Sequence, residues 1–65
     1  MPNCVIDGPK IDDVEIKRTL VKEITDALEK AYKIPREAYV VLIKENKPEN
    51  VGVGGTLIID RRKDQ

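Results

Sequence analysis

The chain has 65 residues, carries twelve Lys and Arg against twelve Asp and Glu, and contains a single Cys and no His, Phe or Trp. That composition excludes an internal disulfide and leaves too few soft donors for a structural zinc site, while the length gives one small domain with little apolar surface to bury. Self-association is the remaining way to enlarge such a core, and a zero net charge argues against nucleic acid as the partner.

Residues 3–7 (NCVID) hold apolar side chains in a short segment closed by Gly8-Pro9, a turn signal, and predict a first strand. Asp12 followed three residues later by Glu15 is a capping signal for a helix. From Ile16 the apolar residues Leu20, Val21, Ile24, Ala27, Leu28 and Ala31 recur three and four apart, which gives one amphipathic helix with a single buried face. It has to stop before Pro35, whose ring disfavours helical geometry at Ile34. Residues 38–45 (AYVVLIKE) then run without a polar interruption from Tyr39 to Ile43, the pattern of a strand buried on both faces.

Strand, helix and strand in this order predict two parallel strands joined by a right-handed crossover. The helix covers one sheet face, and nothing else in the sequence is large enough to cover the other, so a further copy of the chain is expected there. After a polar loop at 46–50 comes Val51-Gly52-Val53-Gly54-Gly55, whose glycines permit the positive backbone angles of a hairpin or bulge. Residues 56–60 (TLIID) read as a short last strand able to cross to a neighbouring copy, and 61–65 (RRKDQ) as a charged, frayed tail. The fold class is therefore α/β (α+β): a β-α-β unit with a C-terminal hairpin, one domain over residues 1–65 that assembles as an oligomer. With no leader-like segment and no apolar run near the ~20 residues that span a bilayer, a cytoplasmic protein without a membrane partner is expected.

With no His, no Ser, one Cys and no phosphate-binding loop, most enzyme templates are absent. What the chain offers is Pro2. Removal of Met1, the usual fate of an initiator before a small residue, leaves a secondary amine at the new terminus. An unperturbed terminal amine titrates at roughly 7.7–8.0, and an apolar or cation-rich pocket lowers that value. The neutral amine can then take a proton from one atom of an enol or ketone and return it to another.

Pro2 opening a short strand, a helix to Lys33, Pro35, the VVLI strand and the VGVGG turn together resemble the 4-oxalocrotonate tautomerase family, over roughly residues 2–57. The resemblance implies a tautomerase protomer in a hexamer built as a trimer of dimers, an active site at a subunit boundary, and neither cofactor nor metal. It implies an isomerase acting on a small unsaturated 2-hydroxy or 2-oxo carboxylic acid, with Pro2 shuttling the proton and two arginines holding the substrate. Aligned without gaps, those arginine positions fall on Asp12 and Val40, and a late-loop aromatic that forms an apolar wall falls on Val51.

The cations left to bind substrate are Lys10, Arg36, Lys44 and, in the tail, Arg61 or Arg62. Lys10 comes first because its loop is expected near Pro2, and a lysine holds a carboxylate as a point charge rather than a fork. Cys4 is expected on the face of Pro2 as a small buried hydrophobe, Gly52, Gly54 and Gly55 as turn residues, and Tyr39 in the core or an interface. Two competing readings stand beside the isomerase: a non-catalytic assembly protein that kept the fold, which loss of the arginine pair favours, and a lyase of hydratase or decarboxylase type in which Pro2 activates water or remains cationic.

Overall fold

The computed structural model describes residues 1–62, and 63–65, the end of the charged tail, lie outside the described residues. Strand β1 (Asn3–Gly8) leads through a short loop to helix α1 (Val14–Tyr32) and then to β2 (Val40–Glu45). A hairpin of β3 (Gly52–Val53) and β4 (Thr56–Leu57) and a short helix α2 (Ile58–Arg62) close the chain. β1 and β2 are parallel, in register from Asn3 opposite Val40 to Gly8 opposite Glu45, the pairing that a strand-helix-strand order predicts.

Asp13, not Asp12, caps α1, its carboxylate accepting the Glu15 N–H at 2.9 Å. Asp13 is the extended residue immediately before the first helical one, so its side chain faces the orphan amides. Asp12 lies one residue too far out and faces Lys10 at 3.9 Å. Glu15 does not reach back to the cap but pairs with Arg18. The helix ends at Lys33, left-handed at φ 58°, whose N–H closes on the Glu29 carbonyl at 2.9 Å.

β2 begins two residues later than the apolar run suggests, because Pro35 with φ −55° starts a 3₁₀ turn over Arg36–Ala38. Tyr39 then staples this turn to the end of α1. Its hydroxyl donates to the Ile34 carbonyl at 3.0 Å and accepts the Ile34 N–H at 3.2 Å, and its buried ring lies against Tyr32 with centroids 6.4 Å apart. Tyr39→Phe should therefore cost about 1–2 kcal/mol, since it strands both backbone groups of Ile34. Urea denaturation at fixed protein concentration measures it, and an unchanged midpoint would show that water takes over both bonds.

The hairpin turns on Gly54 (φ 61°) and Gly55 (φ 84°), the two successive positive angles of a tight two-residue turn. Residues 56–60 do not form one strand, because Pro48–Asn50 is a 3₁₀ turn and leaves β3 only two residues long. The Val51 carbonyl takes the Ile58 N–H at 2.8 Å, beyond which Ile59 and Asp60 have no strand to pair with. The chain winds into α2 instead, and Arg61 and Arg62, expected in a frayed tail, are helical.

Exposure alternates along β1, with Cys4 and Ile6 half-buried and Asn3, Val5 and Asp7 outside. β2 continues the pattern, so the outer sheet face is bare, with Val5 52%, Val40 43% and Leu42 49% exposed. Among the described residues only Tyr39 and Thr25 are buried. The radius of gyration is 15.5 Å, against about 11 Å for a compact chain of this length. One chain thus carries a sheet covered on a single side, and the second face is the one the sequence leaves for a further copy.

Candidate active site

Pro2 precedes β1, half-buried, and its carbonyl accepts the Val40 N–H at 3.1 Å. That bond extends the β1–β2 ladder by one step and pins the residue to the start of β2. Cys4 is half-buried like Pro2 and alternates with exposed Asn3 and Val5, as expected for two side chains on one strand face.

The candidate cations separate into two groups. Arg36, in the turn before β2, lies toward the Pro2 end of the sheet, but its guanidinium is held by Asp26 at 2.9 Å and Glu29 at 2.6 Å. The hydrogen bonds that Arg36 donates to Asp26 and then Glu29 raise its pKa further, and those donated by Lys22 and then Arg36 hold the Asp26 carboxyl below its usual range. Lys10, Lys44 and Arg61 belong to the opposite end. β1 spans about 20 Å between them and Pro2, at roughly 3.3 Å per residue. The expectation that the Lys10 loop lies near Pro2 therefore fails within one chain, because a strand carries its two ends apart. Arg61 is exposed on α2, and Arg62 closes the same helix.

At that opposite end, between the carboxyl ends of β1 and β2 and the C-terminal hairpin, lies a cavity of about 300 Å³. Asp7, Gly8, Pro9, Asn46, Val51 and Ile58 line it, with Pro48 at the turn. Its loops are braced by Glu45, whose carboxylate takes the Lys17 ammonium at 2.9 Å and the Ile11 N–H at 2.9 Å. These two bonds, the Lys17 bond foremost, hold the Glu45 carboxyl below the usual carboxylate range.

A carboxyl whose pKa is lower folded than unfolded adds stability above its unfolded value and loses it as pH falls through the folded one. The brace is therefore expected to weaken as pH drops below about 4. Urea midpoints taken between pH 7 and pH 3 should fall less steeply in Glu45→Gln than in the parent chain, and parallel curves would remove Glu45 from the acid response.

The geometry sets two features apart, Pro2 pinned at one end of β1 and an apolar cavity at the other. Among the described residues no three His, Cys, Asp or Glu side chains are grouped to hold a metal, and no helix is long and apolar enough to cross a membrane. A family defined as tautomerase enzymes matches residues 2–61, nearly the whole chain. This chain belongs to the tautomerase family. A probable tautomerase of Staphylococcus aureus (strain Mu50) is 44% identical over 48 residues, 74% of this chain and 72% of that protein.

Among solved structures, DmpI from Archaeoglobus fulgidus is 44% identical and superposes with a TM-score of 0.80, covering 91% of this chain and 100% of that one. A structure from the 4-oxalocrotonate tautomerase isozymes of Methylibium petroleiphilum is 25% identical with a TM-score of 0.88, covering 98% and 100%. The family and the β-α-β fold read from Pro2, VVLI and VGVGG are borne out.

Within this tautomerase chain the positions of the resembling family's arginines are Asp12, exposed beside Lys10, and Val40 on the bare sheet face. Val51, at the position of the apolar wall, lines the cavity. Sequence reasoning missed Asp7, Asn46 and Ile58 as cavity residues. The signal was available in the two parallel strands that end at Gly8 and Glu45, each followed by a proline-bearing loop, because ligands favour crevices outside the carboxyl ends of such strands.

Proposed function

We propose that this chain is an isomerase interconverting keto and enol, or unsaturated, tautomers of a small 2-hydroxy or 2-oxo carboxylic acid. The amine of Pro2, freed by loss of Met1, acts as base and then acid, without cofactor or metal. The observation that carries this reading is the half-buried Pro2 with its carbonyl held by Val40 at 3.1 Å. The sheet fixes the residue, and the ring fixes the direction of the nitrogen lone pair. The neutral amine takes the proton of the substrate's enol hydroxyl as the C–O bond becomes a carbonyl. The resulting ammonium returns a proton to a carbon of the conjugated system and is neutral again, so no proton or electron is left over.

One chain holds Pro2 and the cavity at opposite ends of β1, so a site that uses both needs two copies. β1 pairs with β2 along one edge only. Two copies related by a two-fold axis, with their β1 edges antiparallel, bring Pro2 of each to the cavity end of the other. Lys10 beside the cavity is then the first candidate for the substrate carboxylate, with Arg61 and Arg62 on α2 behind it and Arg36 tied to α1. The bare face of Val5, Val40 and Leu42 supports a larger ring, which the family resemblance makes a hexamer.

Ultraviolet assays of phenylenolpyruvate and 2-hydroxymuconate ketonisation test the proposal, on protein whose mass places Pro2 at the terminus. Turnover above the buffer rate is expected with at least one of them. Inertness toward both would favour an assembly protein that kept the fold, the reading for which Asp12 and Val40 at the arginine positions speak.

A further inference from the structure

The charges around the cavity are unevenly placed, and that bears on what fills it. Its walls are Pro9, Pro48, Val51 and Ile58, with Asp7 the sole charged side chain lining it and Asn46 the other polar one. Lys44 stands directly across the strand pair from Asp7, outside the cavity lining. Lys17 is engaged by Glu45 at 2.9 Å. Lys10, one residue outside the lining, is 73% exposed and only loosely approached by Asp12 at 3.9 Å. Among the described residues no cation lines the cavity, and Lys10 and Lys47 stand one residue outside its lining, at the rim.

We infer, on the basis of the proline chemistry proposed above, that the substrate is a monoanion whose single carboxylate stays at the Lys10 rim while an uncharged, largely apolar end fills the cavity. A second carboxylate at the inner end would shed its hydration beside Asp7 with no cation in the cavity lining, a costly arrangement. An apolar end instead gains from every methylene it buries against the proline, valine and isoleucine walls. Asn46 can donate one hydrogen bond to a carbonyl or hydroxyl on that end. A volume of about 300 Å³ is at the small end of the range for small-molecule sites.

The test compares kcat/KM for phenylenolpyruvate, a monoanion with an aromatic end, and 2-hydroxymuconate, a dianion, on mass-verified mature protein. The monoanion should be preferred by at least about tenfold. Asp7→Asn, which removes the one carboxylate lining the cavity, should shift the ratio toward the dianion by about two- to fivefold. Inhibition by straight-chain alkanoates needs no variant, and it should tighten by up to about fourfold per added methylene, with the α,ω-dicarboxylate of equal length weaker each time. Equal or better turnover of the dianion, or dicarboxylates that inhibit as well as alkanoates, overturns the inference while Pro2→Ala still reports separately on the proline. Inertness toward both substrates removes the proline reading and this inference with it.

Discussion

Pro2→Ala in the processed chain is expected to lower kcat/KM for enol ketonisation by about 10²–10⁴-fold, the usual contribution of a positioned general acid or base. The variant keeps a terminal amine but loses the ring that aims it. The backbone carbonyl that accepts the Val40 N–H at 3.1 Å remains, so circular dichroism and sedimentation should match the parent. A chain that retains Met1 should be inactive for a different reason, because its proline nitrogen is an amide without basicity. Wild-type rates in either form would assign the proton transfer elsewhere and leave Pro2 as a strand-starting residue.

Leu42→Lys carries the second large effect. Leu42 is 49% exposed in the single chain and lies beside Val5 in the β1–β2 register, at the centre of the bare sheet face. A lysine there places an unpaired charge in any contact that covers this face, at a cost of several kcal/mol. The chain has little to fall back on, since a two-stranded sheet is marginal by itself and Tyr39 is the one buried apolar side chain among the described residues. Sedimentation velocity should show loss of the assembly, and cooperative melting at micromolar protein should disappear with it. A variant of parental size and melting temperature would mean that the face is not an interface.

The elements legible in the sequence were those with strong local signals. The three-and-four spacing on α1, the unbroken run before Lys44 and the paired positive angles at Gly54 and Gly55 each point to one local structure. Where two residues compete for one role, sequence is less decisive, as with Asp12 and Asp13 at the cap, separated only by which of them has the extended backbone beside Val14. Residues 56–60 failed for a non-local reason, because strand propensity in Leu57, Ile58 and Ile59 yields a strand only where a partner backbone exists. The proposed half-sites divide in the same way. Pro2 announces itself by position, whereas the cavity gathers Asp7, Asn46, Val51 and Ile58 from four segments that no spacing rule connects. The pairing of Arg36 with Asp26 and Glu29 is likewise visible only once α1 and the turn before β2 are packed together.

Nitrogen-15 NMR of mature, proline-labelled protein, titrated alongside a pH profile of kcat/KM, is the most direct test of proton transfer by Pro2. Of the four prolines only Pro2 would carry an amine, and Pro9, Pro35 and Pro48 serve as non-titrating amide references. Base catalysis by Pro2 predicts a single titrating proline nitrogen whose midpoint coincides with the acidic limb of the rate profile, and loss of that limb in Pro2→Ala. A Pro2 nitrogen that stays protonated throughout the active pH range, or one whose midpoint is displaced from the limb, would contradict it.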